Sequence, residues 1–600
     1  MNLRNSCKNL PTNQHLTKFQ IDLQRKAVQN SFAGTLSRES KLRKFQRILY
    51  KERIVIQRLS IVLFAIVALV LSANVVCQAQ PQALLTRHVI DATINGEAPS
   101  VGRLPANQSI RIDIVMPVRE GLDSFLQEIY NPSSPSYQHY LTVDQFTQKF
   151  GPSQEHWNAL VHFAAANGLS VTGGSRDALD LRLTGSVANV ETAFHVNIGL
   201  YHDPVANRDF YAPDREPTID LPFQLMHISG LDNYWVPRNA LAQRDSNTKP
   251  PAQTGSCPDA SFCGSDMRAA YYEGTSLTGK GQLIGLLEFA GFDIADVNTY
   301  YTNAGQKRTA GVKGISTDGT SINCLASQGC DDTEQTIDIT QALGMAPGIK
   351  TLYMYVGSSG TALLSAMSSD KPLPLNLSSS WYRWGTNFTS DDMYFKKMAS
   401  QGQSFFEAAG DGGDWGDNTD TYWPMESPNV ICVGGTDLVT KGAGKGWSSE
   451  TVWNQGGGGI SPDHLLIPSW QKTKGVITKA NEGSTKWRNG PDVSANSNFT
   501  FYVCADQTTC TANNYGGTSF AAPMFAGYLA LTNQQAKAHG DKPPGFINPA
   551  VYKIGLSKNY GTDFHDITVG SNGFPATKGY DLASGWGSPN TDGLINALAK

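Results

Sequence analysis

The 600-residue chain is too long for one hydrophobic core, and 40% hydrophobic with 17% charged residues is typical of a globular protein of two or more domains. The formal net charge of −4 conceals an asymmetry, because residues 1–58 are basic whereas residues 259–600 contain 31 acidic against 23 basic side chains. This acidic excess argues against a nucleic-acid partner and is compatible with activity at low pH.

An apolar run from Leu59 to Val76 follows the basic N-terminal segment. The basic flank on its N-terminal side predicts that the rest of the chain is exported. The length of the run lies between that of a signal peptide and that of a membrane-spanning helix. We therefore predict a basic cytoplasmic leader over 1–58 and a signal peptide or membrane anchor over 59–79. The remainder is expected to be secreted, or to lie outside an anchoring membrane.

Six of the nine cysteines form three pairs with five intervening residues, namely Cys257 and Cys263, Cys324 and Cys330, and Cys504 and Cys510. Local disulfides of this size can hold a surface loop, and disulfides persist in oxidising compartments, which agrees with export. Six cysteines allow 15 connectivities, so the local pairing rests on proximity alone. Cys432 lies in an apolar strand and is expected to be a buried free thiol.

Residues 80–239 have a mixed α/β pattern. Leu122–Tyr130 and Glu155–Asn167 have helical apolar spacing, whereas Leu179–Leu183 alternates apolar and polar residues as a half-buried strand does. No catalytic arrangement is visible here, so the pattern predicts a separate, smaller domain. A polar linker with prolines follows at 240–258, where proteolytic cleavage would be easy.

From residue 259 onward, short apolar runs alternate with helical stretches. The runs are residues 283–287, 350–356, 404–406 and 430–433. This alternation predicts a parallel sheet covered by helices on both faces. In such sheets, functional residues collect at the carboxyl ends of the strands.

Ser519 begins a buried apolar helix directly after a glycine pair and Thr518. Pro523 is expected within the first turn of that helix, where its missing N–H costs nothing. A serine in this position can be a helix cap. It can also be a nucleophile, because the positive end of the helix dipole favours its developing anion.

A nucleophilic serine needs a base, and none of the three histidines after the linker (His464, His539 and His565) lies in a glycine-rich helix start. Glu334 and Asp338 are four residues apart and therefore share a helix face. If they share protons, one carboxyl acts as a base and the other as its supporting acid. The alternative is a solvated acidic first turn.

Asp411 lies between glycines shortly after a strand. Such an aspartate is often only a turn residue. It can also be a protonated donor to an oxyanion, as a carboxylic acid kept neutral in an apolar site can be.

The combination of Glu334-x-x-x-Asp338, Gly410-Asp411-Gly412 and Gly517-Thr518-Ser519 resembles the sedolisins, the serine-carboxyl peptidases, and most closely their kumamolisin-like members. The resemblance implies a subtilisin-like α/β fold over 259–600, with a parallel sheet flanked by helices, preceded by an activation prodomain of smaller α/β (α+β) type. Further motifs that carry it are Tyr140-Leu141-Thr142, Phe150-Gly151-Pro152-Ser153, Val433-Gly434-Gly435-Thr436, Gly456-Gly457-Gly458-Gly459-Ile460-Ser461 and Pro491-Asp492-Val493-Ser494.

The resemblance also implies roles for single residues. By position, Ser519 would be the nucleophile, Glu334 the general base, Asp338 its orienting partner and Asp411 the oxyanion donor. The remaining implied residues are Glu288, which would extend the proton network, and Ser380 and Trp381, which would line the substrate site. Tyr382 stands where the family usually has glycine, so the cleavage preference is left open.

A structural calcium ion is implied by the same resemblance. Its ligands would be Asp566 and Asp581 together with main-chain carbonyls of Ile567, Thr577 and Gly579. Two carboxylates plus carbonyls suit a hard cation. Without the resemblance, this stretch would be interpreted as an ordinary turn-rich loop.

The sequence therefore predicts a secreted acid endopeptidase made as a zymogen. It would cleave protein or peptide substrates as a monomer, with its own prodomain as inhibitor and chaperone. One alternative is a tripeptidyl-peptidase of the same family. Another is a catalytically inactive, membrane-tethered binding protein on the same fold. A histidine-dependent subtilisin is the weakest alternative, because no suitable histidine exists.

Overall fold

The structure, a computed structural model, describes residues 81–249, 254–383, 388–416, 423–507 and 509–600. The leader predicted over 1–58 and the signal peptide or anchor predicted over 59–79 lie outside these residues. Within them, no helix combines the length and the apolar character needed to cross a membrane.

The N-terminal region, residues 81–239, contains two antiparallel sheets. The larger has the strand order Ser170–Ser175, Asp180–Ser186, Ser109–Val115, His227–Ser229, and the smaller has the order Ser100–Arg103, Ile198–Asp203, Arg208–Pro213. A short pair joins Gln82–Ala83 and Thr218–Ile219. The helices are Asp91–Ile94, Leu122–Ile129, Val143–Lys149, Gln154–Ala166 and Val187–Phe194. The helices and strand predicted in this region are confirmed to within a few residues.

An eight-stranded sheet forms the centre of the C-terminal region, residues 254–600. Its strand order is Gly311–Ser316, Thr351–Val356, Leu283–Glu288, Asn376–Ser379, Ser404–Ala408, Ile431–Thr440 and Trp447–Val452, and Val493–Asn496 also pairs with Ile431–Thr440. All pairs are parallel except that of the edge strand Trp447–Val452. The predicted parallel sheet is thus confirmed, with one antiparallel strand added at its edge.

Helices cover both faces of this sheet, and each face has its own apolar core. The helices are Gly264–Tyr271, Ile294–Asn303, Thr333–Met345, Gly360–Met367, Phe388–Ser400, Thr518–His539, Asn548–Gly555, Tyr560–Asp563 and Gly593–Leu598. We call Thr333–Met345 the Glu334 helix and Thr518–His539 the Ser519 helix. They pack closely, because a Cβ at Gly527 would lie 2.8 Å from the Ala342 carbonyl oxygen.

Short elements complete the region. The 3₁₀ helices are Pro258–Ala260 and Ala326–Gln328, and the short antiparallel pairs are Gly459–Ile460 with Asn489–Gly490, Tyr502–Ala505 with Thr509–Ala512, and Phe564–His565 with Ser588–Pro589. Disulfides join Cys257 to Cys263, Cys324 to Cys330 and Cys504 to Cys510, which are the pairs that proximity suggested. Cys432 is a buried free thiol, as expected.

Candidate active site

Ser519 is the second residue of its helix and is fully buried. It is not the helix cap, because that position is taken by Gly517 at a φ of 151°, a conformation that favours glycine. Pro523 is the sixth helical residue, so the prediction that it lies in the first turn was wrong. Proline cannot supply the N–H that would bond the carbonyl four residues earlier, which belongs to Ser519. That carbonyl is approached instead by the Ser380 hydroxyl, at 3.5 Å.

A segment of the chain itself occupies the cleft at Ser519. Arg238–Asn239 pairs antiparallel with Trp381–Tyr382, and Ala242–Gln243 pairs antiparallel with Tyr515–Gly516. We call Arg238–Gln243 the docked strand. The end of the predicted prodomain and the beginning of the predicted linker are therefore each held in a ladder, and this stretch is not a free loop.

Ala240 lies between the two ladders, directly at the serine. Its N–H donates to the Ser380 carbonyl at 2.8 Å, and its carbonyl oxygen accepts from the Ser519 N–H at 3.2 Å. The Ser519 hydroxyl also donates to this carbonyl oxygen. The carbonyl of the peptide bond between Ala240 and Leu241 thus lies directly at Ser519.

Asp411 also lies near this carbonyl. Its Oδ1 accepts from the Thr518 N–H at 2.8 Å and from the Thr518 hydroxyl at 2.9 Å. Its Oδ2 is buried and has no hydrogen-bond partner among the described residues. A Cβ at Gly517 would lie 2.6 Å from this Oδ2 and would also collide with the Ala240 carbonyl oxygen, so glycine lets these two oxygens approach one another.

Burial raises the pKa of Asp411 to about 8, although the two bonds from Thr518 oppose the shift. Because Oδ1 already accepts two hydrogen bonds, the proton of the neutral acid belongs on Oδ2. In this form Asp411 can donate a hydrogen bond towards the carbonyl.

Glu334 and Asp338 are both buried, and they face the serine from the Glu334 helix. Burial, followed by the charge of Asp338, raises the pKa of Glu334 well above its usual value, and the nearby hydroxyls of Ser519 and Ser380 oppose this. Burial and the charge of Glu288 likewise raise the pKa of Asp338, whose Oδ1 accepts from the Ser380 hydroxyl at 2.8 Å. Neither oxygen of Glu334 has a hydrogen-bond partner of ordinary geometry among the described residues. The interpretation as a solvated acidic turn is therefore excluded.

Glu288 ends the central strand Leu283–Glu288 and extends the carboxyl cluster. Its Oε2 accepts from the Trp381 indole N–H at 3.0 Å. Burial and the charge of Glu334 raise its pKa well above the usual value. Ser380 and Trp381 therefore each contact a carboxyl group with their side chains, while their backbone holds the docked strand.

Glu407, on the strand Ser404–Ala408, is a fourth member of the cluster that the sequence did not reveal. It is fully buried. Burial raises its pKa, the Ser379 hydroxyl lowers it, and the charge of Asp338 raises it further. The only available signal was a carboxylate inside an apolar strand. The Ser519 N–H, as a donor to the carbonyl, was also missed.

The three histidines are engaged elsewhere. The His565 ring stacks on Trp447 with 4.0 Å between the ring centroids, and His464 packs against Trp487. His539 ends the Ser519 helix, at the opposite end from the serine. The titratable side chain beside the Ser519 hydroxyl is Glu334.

The residues predicted to bind calcium lie around one loop. Asp566 accepts from the Gly579 N–H at 3.1 Å, and Asp581 accepts from the Thr577 N–H at 2.8 Å. No group of three or more histidine, cysteine or acidic side chains suited to a metal occurs within the described residues. A cation here would take its remaining ligands from main-chain carbonyls such as that of Ile567. An all-oxygen donor set of this kind fits calcium.

Two family models match parts of this chain. Residues 97–234 match the family model of the pro-kumamolisin activation domain, and residues 313–550 match that of the subtilase family. The chain is 28% identical to kumamolisin of Bacillus sp. (strain MN-32) over 552 residues, which cover 85% of this chain and 96% of that protein. It is 30% identical to tripeptidyl-peptidase 1 of Dictyostelium discoideum over 291 residues, covering 44% of this chain and 46% of that protein.

Among solved structures, the chain is similar to that of Pseudomonas sedolisin, a serine-carboxyl proteinase, complexed with two molecules of pseudo-iodotyrostatin. The sequence identity is 24% and the TM-score is 0.46, and the match covers 58% of this chain and 99% of that one.

Proposed function

This chain belongs to the sedolisin family of peptidases and carries a pro-kumamolisin activation domain, and from this premise we propose that it is an acid-acting serine endopeptidase made as a zymogen. Ser519, Glu334 and Asp338 form its catalytic triad. The observation that carries the proposal is the Ala240 carbonyl oxygen, which accepts from both the hydroxyl and the N–H of Ser519.

In the reaction, the Ser519 hydroxyl turns from the carbonyl oxygen to its neighbour Glu334 and gives it its proton, while Ser519 Oγ attacks the carbonyl carbon. Asp338, held by the Ser380 hydroxyl, supports the resulting charge on Glu334. The oxyanion is stabilised by the Ser519 N–H and by protonated Asp411, donors placed before charge develops. Glu334 then returns the proton to the leaving amine, and a water molecule activated by Glu334 releases the acyl group from Ser519.

The expectation that the enzyme acts in acid follows from the charge of the carboxyl cluster. Asp411 donates only while protonated, and four neighbouring buried carboxyls cannot all ionise in one apolar site at moderate cost. A cluster that shares protons leaves one group ionised as a base, which is the role assigned to Glu334. Activity is therefore expected to peak below about pH 7 and to fall as these groups ionise.

The path of the docked strand favours an endopeptidase over a tripeptidyl-peptidase. A tripeptidyl-peptidase binds a free substrate N-terminus three residues before the cleaved bond. Here Arg238 is the third residue before that bond, and the chain continues unbroken to Pro237 and Trp235. A cleft that accepts further residues beyond this point suits internal cleavage.

The N-terminal region, as the prodomain, would act as inhibitor and folding partner of the peptidase domain. Lys371 Nζ lies 2.7 Å from Asp144 and 3.0 Å from Asp177 across the contact. The Tyr130 hydroxyl donates to the Ala399 carbonyl at 2.7 Å. With the docked strand filling the cleft, these contacts would block substrates until the linker is cut.

We further propose that residues 59–79 direct the export of the protein and that it acts on protein or peptide substrates. We also propose that one calcium ion at Asp566 and Asp581 stabilises it. The disulfides support an oxidising compartment. The ion would hold the turn-rich loop between these two aspartates.

Hydrolysis of an unfolded protein substrate, measured from pH 2 to pH 9, tests the proposal. Ser519→Ala and Glu334→Gln are each expected to abolish turnover, because nucleophile and base act as a unit. Ser378→Ala is the matched control, since Ser378 is also buried on the sheet but its hydroxyl has no hydrogen-bond partner among the described residues. Activity that survives in Ser519→Ala would refute the assignment. A folded but inactive wild type at every pH would favour the binding-protein alternative.

A further inference from the structure

The chain stays in the cleft for four residues beyond the bond that Ser519 would attack. Ala242–Gln243 forms an antiparallel ladder with Tyr515–Gly516. One residue further, the Arg244 N–H donates to the Asn514 carbonyl at 2.8 Å. Arg244 is the fourth residue after that bond, so the cleft holds the backbone of the leaving segment at least this far.

The side chain of Arg244 also contacts the C-terminal region. Its Nε donates to the Asn513 carbonyl at 2.9 Å. Its Nη1 donates to the Asp245 carbonyl at 3.3 Å and to the Thr248 carbonyl, and both of these acceptors belong to the linker itself. The Asn513 carbonyl is thus the acceptor that the peptidase would offer to an arginine of a substrate.

Asn513 holds this acceptor in a fixed position. Its φ of 57° lies in the left-handed region, which asparagine adopts more readily than most residues. Its N–H donates to the Phe501 carbonyl at 2.9 Å, and its side-chain amide donates to the Asp259 carbonyl at 3.1 Å. Because these bonds do not involve the linker beyond Asn239, they can hold the acceptor before a substrate binds, and a preorganised site costs little ordering.

The charge of the neighbouring wall suits a cation in this part of the cleft. Burial, followed by the charges of Asp331 and Asp506, raises the pKa of Tyr515 above its usual value. These negative charges therefore act on the wall directly opposite Gln243. Negative charge here favours a basic over an acidic leaving segment.

We propose that the peptidase selects substrates that carry arginine at the fourth position after the cleaved bond. This inference rests on the proposed peptidase function and deepens it by naming a substrate class. The guanidinium would donate from Nε to the Asn513 carbonyl while the backbone of the same residue pairs with Asn514. Lysine carries its charge on a compact ammonium group and has no Nε donor of this geometry, so it should bind less well.

Peptides of the sequence Arg-Asn-Ala-Leu-Ala-Gln-X-Gly-Gly, in which X is Arg, Lys, Met or Glu, test the preference in the mature enzyme. The two glycines replace the turn of the linker, so that the peptidase supplies the acceptor. The value of kcat/KM is expected to be at least about tenfold higher for Arg than for Met, the scale of one hydrogen bond from a charged donor. It should be intermediate for Lys and lowest for Glu.

The matched control for these peptides replaces Gln by Met at the third position after the bond. The corresponding residue of the chain, Gln243, is exposed, so this exchange should change kcat/KM by less than about threefold. Equal values for Arg and Met at the fourth position, or for Arg and Lys, would overturn the proposal.

Amide hydrogen exchange in the full-length Ser519→Ala protein decides the inference without turnover. Arg244→Met should speed the exchange of the amides in residues 240–244 by about tenfold, because the segment then leaves the cleft more often. Gln243→Met is the matched control and should leave this exchange unchanged. Equal protection in Arg244→Met and its parent would overturn the proposal.

The two experiments separate the two hypotheses. If the wild type hydrolyses no peptide but Arg244→Met exchanges faster than its control, the peptidase function fails while the arginine site stands. If the peptides are hydrolysed without a preference for Arg, the peptidase function stands and the arginine site fails.

Discussion

Asp411→Asn is the substitution whose effect can be worked out most fully. Asparagine keeps a carbonyl oxygen to accept both bonds from Thr518, and it places an N–H₂ group where Asp411 Oδ2 now lies. The variant therefore remains a neutral donor at every pH. The wild-type side chain is a donor only while protonated.

The size of the effect on stability follows from the pKa of Asp411, which burial raises from 3.8 to about 8. Between these values the folded state keeps a proton that the unfolded chain has lost. The free energy of unfolding therefore falls as pH rises through this window, by at most about 1.36 kcal/mol for each pH unit. From pH 4 to pH 7 the loss attributable to this one group is roughly 4 kcal/mol at most, and Asp411→Asn should abolish it.

Urea unfolding of full-length Ser519→Ala at pH 4 and pH 7, with and without Asp411→Asn, measures this difference. The Ser519→Ala background prevents self-digestion. Asp541→Asn serves as the control, because Asp541 is an exposed carboxylate. If Asp411→Asn leaves the change between the two pH values the same as in its parent, Asp411 is not held neutral by burial, and its role as a protonated oxyanion donor is refuted.

The other predictions concern processing and the metal. Acid treatment of the wild type should release a mature chain that begins at Leu241, whereas Ser519→Ala should stay uncut. N-terminal sequencing identifies the first residue, and a first residue elsewhere between 240 and 258 would contradict the register of the docked strand. Calcium should raise the melting temperature of Ser519→Ala in mildly acidic buffer, by the equivalent of about 2.7 kcal/mol at a hundredfold excess over the dissociation constant. Addition of Asp581→Asn should remove this response, and melts that coincide with and without a chelator would show that no ion is bound.

Local patterns in the sequence were sufficient for the parallel sheet and for two of the four members of the carboxyl cluster. Glu334 and Asp338 were found because a helix period brings residues four apart to one face, and that relation needs no knowledge of tertiary structure. Glu288 needed the resemblance in addition to its place at the end of an apolar strand. Glu407 was missed because a carboxylate inside a strand gives no sign of which neighbours its face will meet.

The docked strand could not be predicted, because its position depends on pairing between distant parts of the chain. Arg238 pairs with Tyr382, and Gln243 pairs with Tyr515. In the sequence this stretch was only the beginning of a polar linker. The prediction for Pro523 was wrong for a similar reason. Proline is unfavourable inside a helix, but here the Ser519 carbonyl that loses its helical partner is approached by the hydroxyl of Ser380, a residue far away along the chain.

The position of the docked strand also bears on when the precursor can be cut. In the precursor, Asp411 Oδ2 is buried beside the Ala240 carbonyl, and this burial is the main cause of its raised pKa. Once the bond after Ala240 is cut and the strand leaves, water reaches Oδ2, and the pKa of Asp411 moves back towards its ordinary value.

Asp411 in the mature enzyme should then lose its proton at a lower pH than in the precursor. Self-cleavage is therefore expected to persist at higher pH than hydrolysis of added peptides. The pH profiles of self-cleavage and of peptide hydrolysis, measured on the same preparation, check this prediction. Peptide hydrolysis that extends to higher pH than the preceding self-cleavage would contradict it.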